Sequence, residues 1–401
     1  MKYNRVLILM YKDFEVLSFG VNFEKQEVEF IKKLEHIDKG PNGMSESSTD
    51  EAIKKSLRRF VLRSHIPGNR TNYQKIIKGV GVESGFELAF RGHGLSLSNH
   101  YWYKKEGESL LYKDINFFEN KWDDSFARAV INEDYEALKH CDLNVPDIVT
   151  AGWGVKGWIY EEDGPKLYKL GINEGHSEEA LAEVLASSIA SQMFDEGEVL
   201  KYELRKVGDR YASASPVMIN IDEDLIPLNE YLSHDIYLLY RNKTTDKSKG
   251  KKFFDYIKNS EIPGLYKFFV KLGCFRDLCF VNDLHFENIS LIKNSKTGKV
   301  RIAPLYDLGS AFGSSRTGQS IISKIDKSTF LLVYYLFNDL DPEWDYSWYN
   351  PDKLIGYEEE IRRVLSLSNF YTPEIVGCII QVYQHQKEML EETAKNSLKN
   401  K

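Results

Sequence analysis

The chain has 401 residues, of which 42% are apolar and 28% charged, with a formal net charge of −7. This balance excludes a disordered, fibrous or disulfide-stapled miniature protein and leaves room for two or three globular domains around a large core. A negative net field argues against a protein that coats nucleic acid, and no apolar run approaches the roughly 20 residues of a membrane-spanning helix.

In chain order, residues 6–10 and 16–21 are short β-rich runs separated by Tyr11-Lys12-Asp13-Phe14, which predicts a hairpin opening a small domain rather than a secretory leader. Over 50–62, Ile53, Leu57, Phe60 and Val61 share one helix face, with Thr49 or Asp50 as N-cap, and Pro67-Gly68-Asn69 then breaks the helical pattern. Residues 87–118 mix aromatic and small side chains around Gly92, Gly94 and Trp102 without a clean period, which predicts strand and loop. From Ile148 the texture changes to short strands at 157–160, 166–170, 201–207 and 217–221. One helix lies among them: Ser177 is a good N-cap, Glu178 and Glu179 suit its positive end, and Leu181, Val184, Leu185 and Ile189 form an apolar stripe. Beyond 228 the chain reads as mainly helical, interrupted by one hairpin. Thr372 and Pro373 open a last helix with Ile375, Ile379, Val382 and Met389 on one side, and the Lys-, Asn- and Glu-rich end is expected to fray. Cys141, Cys274, Cys279 and Cys378 are scattered without paired zinc spacing, so buried free thiols in a reducing cytoplasm are expected.

The fold class expected is α+β: a two-lobed protein-kinase-like fold, with a β-rich N-lobe and a mainly helical C-lobe, preceded by an extra N-terminal α/β domain. The expected divisions are 1–145 for the accessory domain, 146–227 for the N-lobe and 228–401 for the C-lobe.

The residues with most chemistry lie between Asp283 and Gly309. Asp283 can accept or align the proton of an attacking hydroxyl, and Asn288, five residues on, can fold back to offer its amide oxygen to a magnesium ion. Apolar runs at 289–292 and 300–302 flank Asn294-Ser295-Lys296-Thr297-Gly298, a hairpin turn that would return Asp307 toward Asn288. Alone, each residue is also what a turn or cap uses, and His285 alone is more often a packed side chain; the combination in this order points to phosphoryl transfer. Upstream, Gly152-Trp153-Gly154-Val155-Lys156-Gly157 precedes a strand and can let backbone amides approach a phosphate. Lys169 shares a strand face with Leu167, and Glu179 and Glu183, four apart on the next helix, can supply its partner. Ser310, Ser314, Ser315, Thr317 and Ser320 crowd Arg316, which fits a flexible polar loop better than a phosphorylated one. Arg241, Lys243, Lys247, Lys249, Lys251 and Lys252 fit a solvated inter-helix loop better than a nucleic-acid patch.

Together these residues resemble the HipA-like serine/threonine protein kinase family, especially its shorter clostridial-type relatives. The resemblance covers most of the chain, through the segment from Arg63 to Arg70, Gly94-Leu95-Ser96-Leu97-Ser98-Asn99-His100-Tyr101-Trp102, Asp114-Ile115-Asn116-Phe117-Phe118-Glu119-Asn120, Asp283-x-His285-x-x-Asn288 and Tyr306-Asp307. It implies transfer of the γ-phosphoryl of ATP to a protein hydroxyl, with ATP and Mg2+ as cofactors. On that pattern Asp283 is the catalytic aspartate, with His285 beside it, and Asn288 and Asp307 hold the metal. Lys169 contacts the α-phosphate side of ATP and pairs with Glu183, and Gly152 and Gly154 belong to the phosphate loop. Met218 and Asn220 lie in the adenine hinge, placed near 217–222. The family often carries Arg after the catalytic aspartate, where this chain has Leu284, and its regulatory loop serine has no counterpart among 150–158.

The resemblance also implies a cytoplasmic protein substrate and the toxin half of a toxin and antitoxin pair, with a small helix-turn-helix partner. No membrane partner or direct nucleic-acid binding is expected. Two other functions compete: a lipid or small-molecule alcohol kinase, since Asp-x-His-x-x-Asn also resembles the phosphoinositide kinases, and a catalytically weak regulatory protein that works with a DNA-binding partner.

Overall fold

The structure, a computed structural model, describes residues 5–171, 178–232, 235, 236, 238, 247–281, 283–314 and 344–399. Contacts gather the chain into two units, Met1–Glu174 with Ile219–Asp224, and Gly175–Met218 with Leu225–Lys401.

In the first unit, β1 (Arg5–Tyr11), β2 (Phe14–Asn22) and β3 (Glu27–Lys33) form a meander, and β4 (Tyr101–Lys105) pairs with the free side of β1. All three pairings are antiparallel, and the predicted first hairpin turns through Lys12 and Asp13, with Lys12 in the left-handed region at φ 51°. The predicted helix is α1 (Asp50–Arg63); of the two candidate caps Thr49 serves, its hydroxyl accepting from Ala52 N at 3.3 Å. Ile53, Leu57 and Val61 of α1 pack on Leu7, Leu9, Leu17 and Phe19 of the sheet. Burial of each such side chain contributes about 1.5–3 kcal/mol.

The stretch 87–118 departs from expectation. Beyond β4 it holds most of α3 (Gly85–Arg91) and all of α4 (Tyr112–Ile115), after α2 (Tyr73–Val80). Phe86, Leu88, Ala89 and Phe90 are all buried and only Glu87 and Arg91, paired at 2.6 Å, face outward, so at seven residues α3 is too short to show a helical period. Its start is set locally by Ser84, whose hydroxyl accepts from Glu87 N at 3.1 Å. The unit ends with α5 (Ser125–Ile131) and the antiparallel hairpin of β5 (Val155–Glu161) and β6 (Gly164–Gly171).

The second unit opens with α6 (Glu178–Met193), then the hairpin of β7 (Glu203–Val207) and β8 (Arg210–Pro216). The expected Ser177 cap lies outside the described residues. The strand expected over 217–221 is not formed. Asn220 makes a turn there instead, its side-chain oxygen accepting from Asp222 N at 2.9 Å and its carbonyl from Glu223 N at 3.0 Å, a local bond that competes with extended pairing. After β9 (Glu223–Pro227) the chain is mainly helical, as expected: α7 (Leu228–Tyr231), α8 (Lys247–Lys258), α9 (Leu265–Leu278), α10 (Tyr357–Leu365) and α11 (Pro373–Lys399). Between α9 and α10 lies the predicted hairpin, β10 (Ser290–Asn294) with β11 (Val300–Ile302). Its turn is closed by Gly298 N on the Asn294 carbonyl at 2.8 Å, with Gly298 at φ 71°.

Leu181, Leu185 and Ile189 of α6 share a core with Phe268 and Phe275 of α9 and Ile379 and Tyr383 of α11. The last helix runs on to Lys399, because Leu390 and Ala394 stay buried and Ser397 donates to the Trp344 carbonyl at 2.9 Å; the final two residues lie outside the described ones. Cys274 and Cys279 are buried free thiols, whereas Cys141 and Cys378 are only half-buried. Part of the basic run and Ser315, Arg316, Thr317 and Ser320 fall outside the described residues. Among the described residues no helix is long and apolar enough to cross a membrane.

Candidate functional site

The glycine run of the first unit divides into three tasks. Gly157 is a packing residue: a Cβ there would lie 2.9 Å from that of Ala127, so its absence lets α5 rest on β5. Gly154 brings the loop onto the end of β6, where a Cβ would stand 2.9 Å from the Gly171 carbonyl carbon. Gly152 has φ +101°, a conformation that favours glycine, and a Cβ on it would collide with the ammonium of Lys156. Lys156 is buried and stands directly opposite Lys169 in the β5–β6 register, so one face of the hairpin carries both lysines beside the loop. Lys166, also buried, donates to Asp163 at 2.7 Å. Lys156 stands one residue into β5, where the glycine loop enters the strand.

In the second unit the catalytic-loop residues meet through short local bonds. Asn288 donates its side-chain amide to the Asp283 carbonyl at 2.9 Å and its backbone N–H to the His285 carbonyl at 2.8 Å, and its amide oxygen takes part in neither bond. His285 Nε2 lies 3.3 Å from Asp283 Oδ1, while its Nδ1 accepts from Glu287 N at 3.2 Å. Asp283 N donates to Ser310 Oγ at 3.2 Å. Burial raises the pKa of Asp283, the nearby His285 opposes that, and the carboxylates of Asp307 and Glu287 push it further up. Asp307 is thus close enough for its charge to be felt at Asp283.

Asp307 itself sits at φ 59°, a left-handed backbone that costs energy outside glycine and clusters at functional sites. Its position is fixed from several directions. Asp307 N donates to Tyr202 OH at 3.1 Å, and two residues earlier Leu305 exchanges backbone bonds with Glu198 and Leu200 at 2.7 and 3.0 Å. Glu198 is anchored in turn by the fully buried Lys271, whose ammonium lies 3.1 Å from it and 3.0 Å from Asp195. Leu284, where the family often has Arg, is a buried core residue.

The donor set fits magnesium, which prefers hard oxygen ligands and retains water: a carboxylate from Asp307, an amide oxygen from Asn288 and the Asp283 carboxylate close by. Among the described residues no group of three or more His, Cys, Asp or Glu forms a closed metal cage. Glu183 is buried on α6 and accepts from Ser213 Oγ of β8 at 2.5 Å, so it is not a solvated helix residue; Glu179 is half-buried. Met218 is half-buried, and exposed Asn220 spends its side chain on the local turn and on Glu223 at 3.0 Å. Tyr202, Ser213 and Ser310 carried no sequence signal, since each acts through a partner 27 to 105 residues away.

No protein-family model matches the chain, and no curated protein matches it. Among solved structures, the chain is similar to the proinflammatory kinase CtkA of Helicobacter pylori, with 13% identity and a TM-score of 0.44 over 61% of this chain and 92% of that one. It is also similar to a chain of the Shewanella oneidensis MR-1 toxin–antitoxin complex of HipA, HipB and operator DNA, with 10% identity and a TM-score of 0.44 over 97% and 99%. Likeness of this degree fixes neither fold family nor activity.

Proposed function

We propose that the chain is an ATP- and Mg2+-dependent kinase of HipA-like type that transfers the γ-phosphoryl group to a serine or threonine hydroxyl of a protein. The observation that carries the proposal is the cluster of Asp283, Asn288 and Asp307, with Asp307 held at φ 59° and the Asn288 amide turned back onto Asp283 at 2.9 Å.

In this reading Asn288 and Asp307 hold Mg2+, which when bound neutralises charge on the transferring phosphates. Asp283 orients the acceptor hydroxyl and takes its proton, and His285 tunes and steers that carboxylate. Lys169 steadies the α-phosphate side and pairs with Glu183, Gly152 and Gly154 serve the phosphate loop, and Met218 and Asn220 lie at the adenine end. The division into accessory domain, N-lobe and C-lobe at 145 and 227, the cytoplasmic setting, the protein substrate and a helix-turn-helix antitoxin partner belong to the same proposal. They rest on the sequence blocks that resemble the family.

Transfer from labelled ATP tests it. The parent should label a protein hydroxyl in the presence of Mg2+, and Asp283→Ala and Asp307→Ala should not. Labelling of a lipid or small alcohol but no protein would move the acceptor to the second class. Nucleotide binding without any transfer would favour the regulatory reading.

A further inference from the structure

Arg70 is a buried arginine whose guanidinium, among the described residues, has no hydrogen-bonded carboxylate. It donates instead to three successive backbone carbonyls of the glycine loop: Thr150, Ala151 at 3.4 Å and Gly152 at 3.2 Å. Two backbone bonds bracket this contact, Ile66 N to the Ile148 carbonyl at 3.2 Å and Thr71 N to the Trp153 carbonyl at 2.9 Å. A segment some eighty residues earlier in the chain is therefore zipped along 148–153. Asp147 lies beneath, buried, with one oxygen accepting from Trp158 N at 2.9 Å, and Thr150 Oγ1 ties the loop to Pro146 and Trp158.

Peptide geometry sets the consequence. Among the described residues no peptide bond is cis, and in a planar trans peptide the C=O of one residue points opposite to the N–H of the next. Three carbonyls drawn toward one guanidinium turn the N–H groups of Ala151, Gly152 and Trp153 away from it. Among the described residues, none of those three N–H groups donates a hydrogen bond. Successive N–H groups converging around a left-handed residue form a concave anion site. Gly152, at φ +101°, supplies that residue, and the Lys156 ammonium lies against it.

We propose that Arg70 is a positioning residue that holds the glycine loop as a preformed phosphate nest, so that recognition of a polyphosphate depends on the N-terminal segment 66–71. The inference deepens the kinase reading by assigning the phosphate-binding geometry to a residue outside both expected lobes. Burying a cation costs several kcal/mol; here the three carbonyls and the charge of the buried Asp147 compensate it while the peptide planes are locked.

Calorimetry on the full chain tests it with three probes: ADP, adenosine and inorganic pyrophosphate. Arg70→Met should weaken ADP and pyrophosphate at least about tenfold and leave adenosine within about twofold, and Arg70→Lys should recover part of the loss. Gly152→Ala, which disturbs the same loop while keeping the Arg70 side chain, should show the same split. Equal loss for ADP and adenosine would mean a merely structural role and overturn the proposal. So would unchanged pyrophosphate affinity in the variants, or no pyrophosphate binding by the parent. Arg70-dependent pyrophosphate binding in a protein that transfers no phosphoryl group would uphold the nest and sink the kinase reading.

Discussion

In the glycine loop the Arg70 charge is buried behind the backbone, whereas in the loop from Asp283 to Asn288 the Asp283 and His285 side chains are partly open to solvent, 58% and 49% exposed. The loop is ordered from outside itself, by Arg70 and by backbone bonds to a distant segment. The catalytic loop is ordered from within, by Asn288 reaching five residues back. The difference teaches where tolerance lies: the exposed Asp283 side chain should be exchangeable with little effect on folding, whereas exchange of the buried Arg70 should also disturb the loop that it holds.

The largest expected effect is at Asp307 and Asp283. Asp307→Ala should abolish Mg2+-dependent transfer, and Asp283→Ala should lower kcat by about 10²–10⁴-fold, with thermal midpoints little changed in either case. A large fall in thermal stability of Asp307→Ala would instead mark that residue as structural.

Next, the two neighbours of Asp283 should move its titration in opposite directions. A base must be deprotonated, so activity rises with pH through the raised pKa of Asp283. Glu287→Gln removes a repelling charge and should carry the acid limb of the kcat/KM profile to lower pH. His285→Gln removes an attracting one and should carry it to higher pH. Shifts of the same sign in both variants would contradict this electrostatic picture.

Behind the loop, burial pushes the Asp147 carboxyl up to about 7, against the Trp158 N–H and the Arg70 charge, which favour ionisation. A folded-state pKa above the unfolded value means that the native state binds the extra proton, so the stabilising contribution is present at low pH. It is lost as pH rises from about 4 to about 7, by at most about 4 kcal/mol. Asp147→Asn keeps an acceptor for Trp158 N and should flatten the dependence of thermal midpoint on pH across that window. An unchanged slope would show that Asp147 is already ionised when folded.

The smallest effect is purely local. Thr49→Ala should cost about 1 kcal/mol of stability through the lost cap on α1, read by chemical denaturation, without altering nucleotide binding.

Legibility in the sequence obeys the same division. The first hairpin and its turn at Lys12-Asp13, the Thr49 cap and the Asn294-to-Gly298 turn were legible because the deciding bonds span two to four residues. That Asn288 folds back was legible from its five-residue spacing, but its amide bond to the Asp283 carbonyl was not. α3 escaped because all its apolar side chains are buried, and α11 outlasted its polar composition because Leu390, Ala394 and Ser397 keep one narrow stripe on the core. The strand expected over 217–221 gave way to an asparagine turn within the same residues. Arg70, Tyr202 and Ser213 were invisible, since nothing in the residues around them announces a partner 30 to 105 positions away.

The most direct measurement is Mg2+-dependent transfer of label from γ-labelled ATP to protein by the parent, Asp283→Ala and Asp307→Ala proteins side by side. The account predicts label on a serine or threonine for the parent alone. Equal labelling by all three, or none by the parent under any divalent cation, would contradict it.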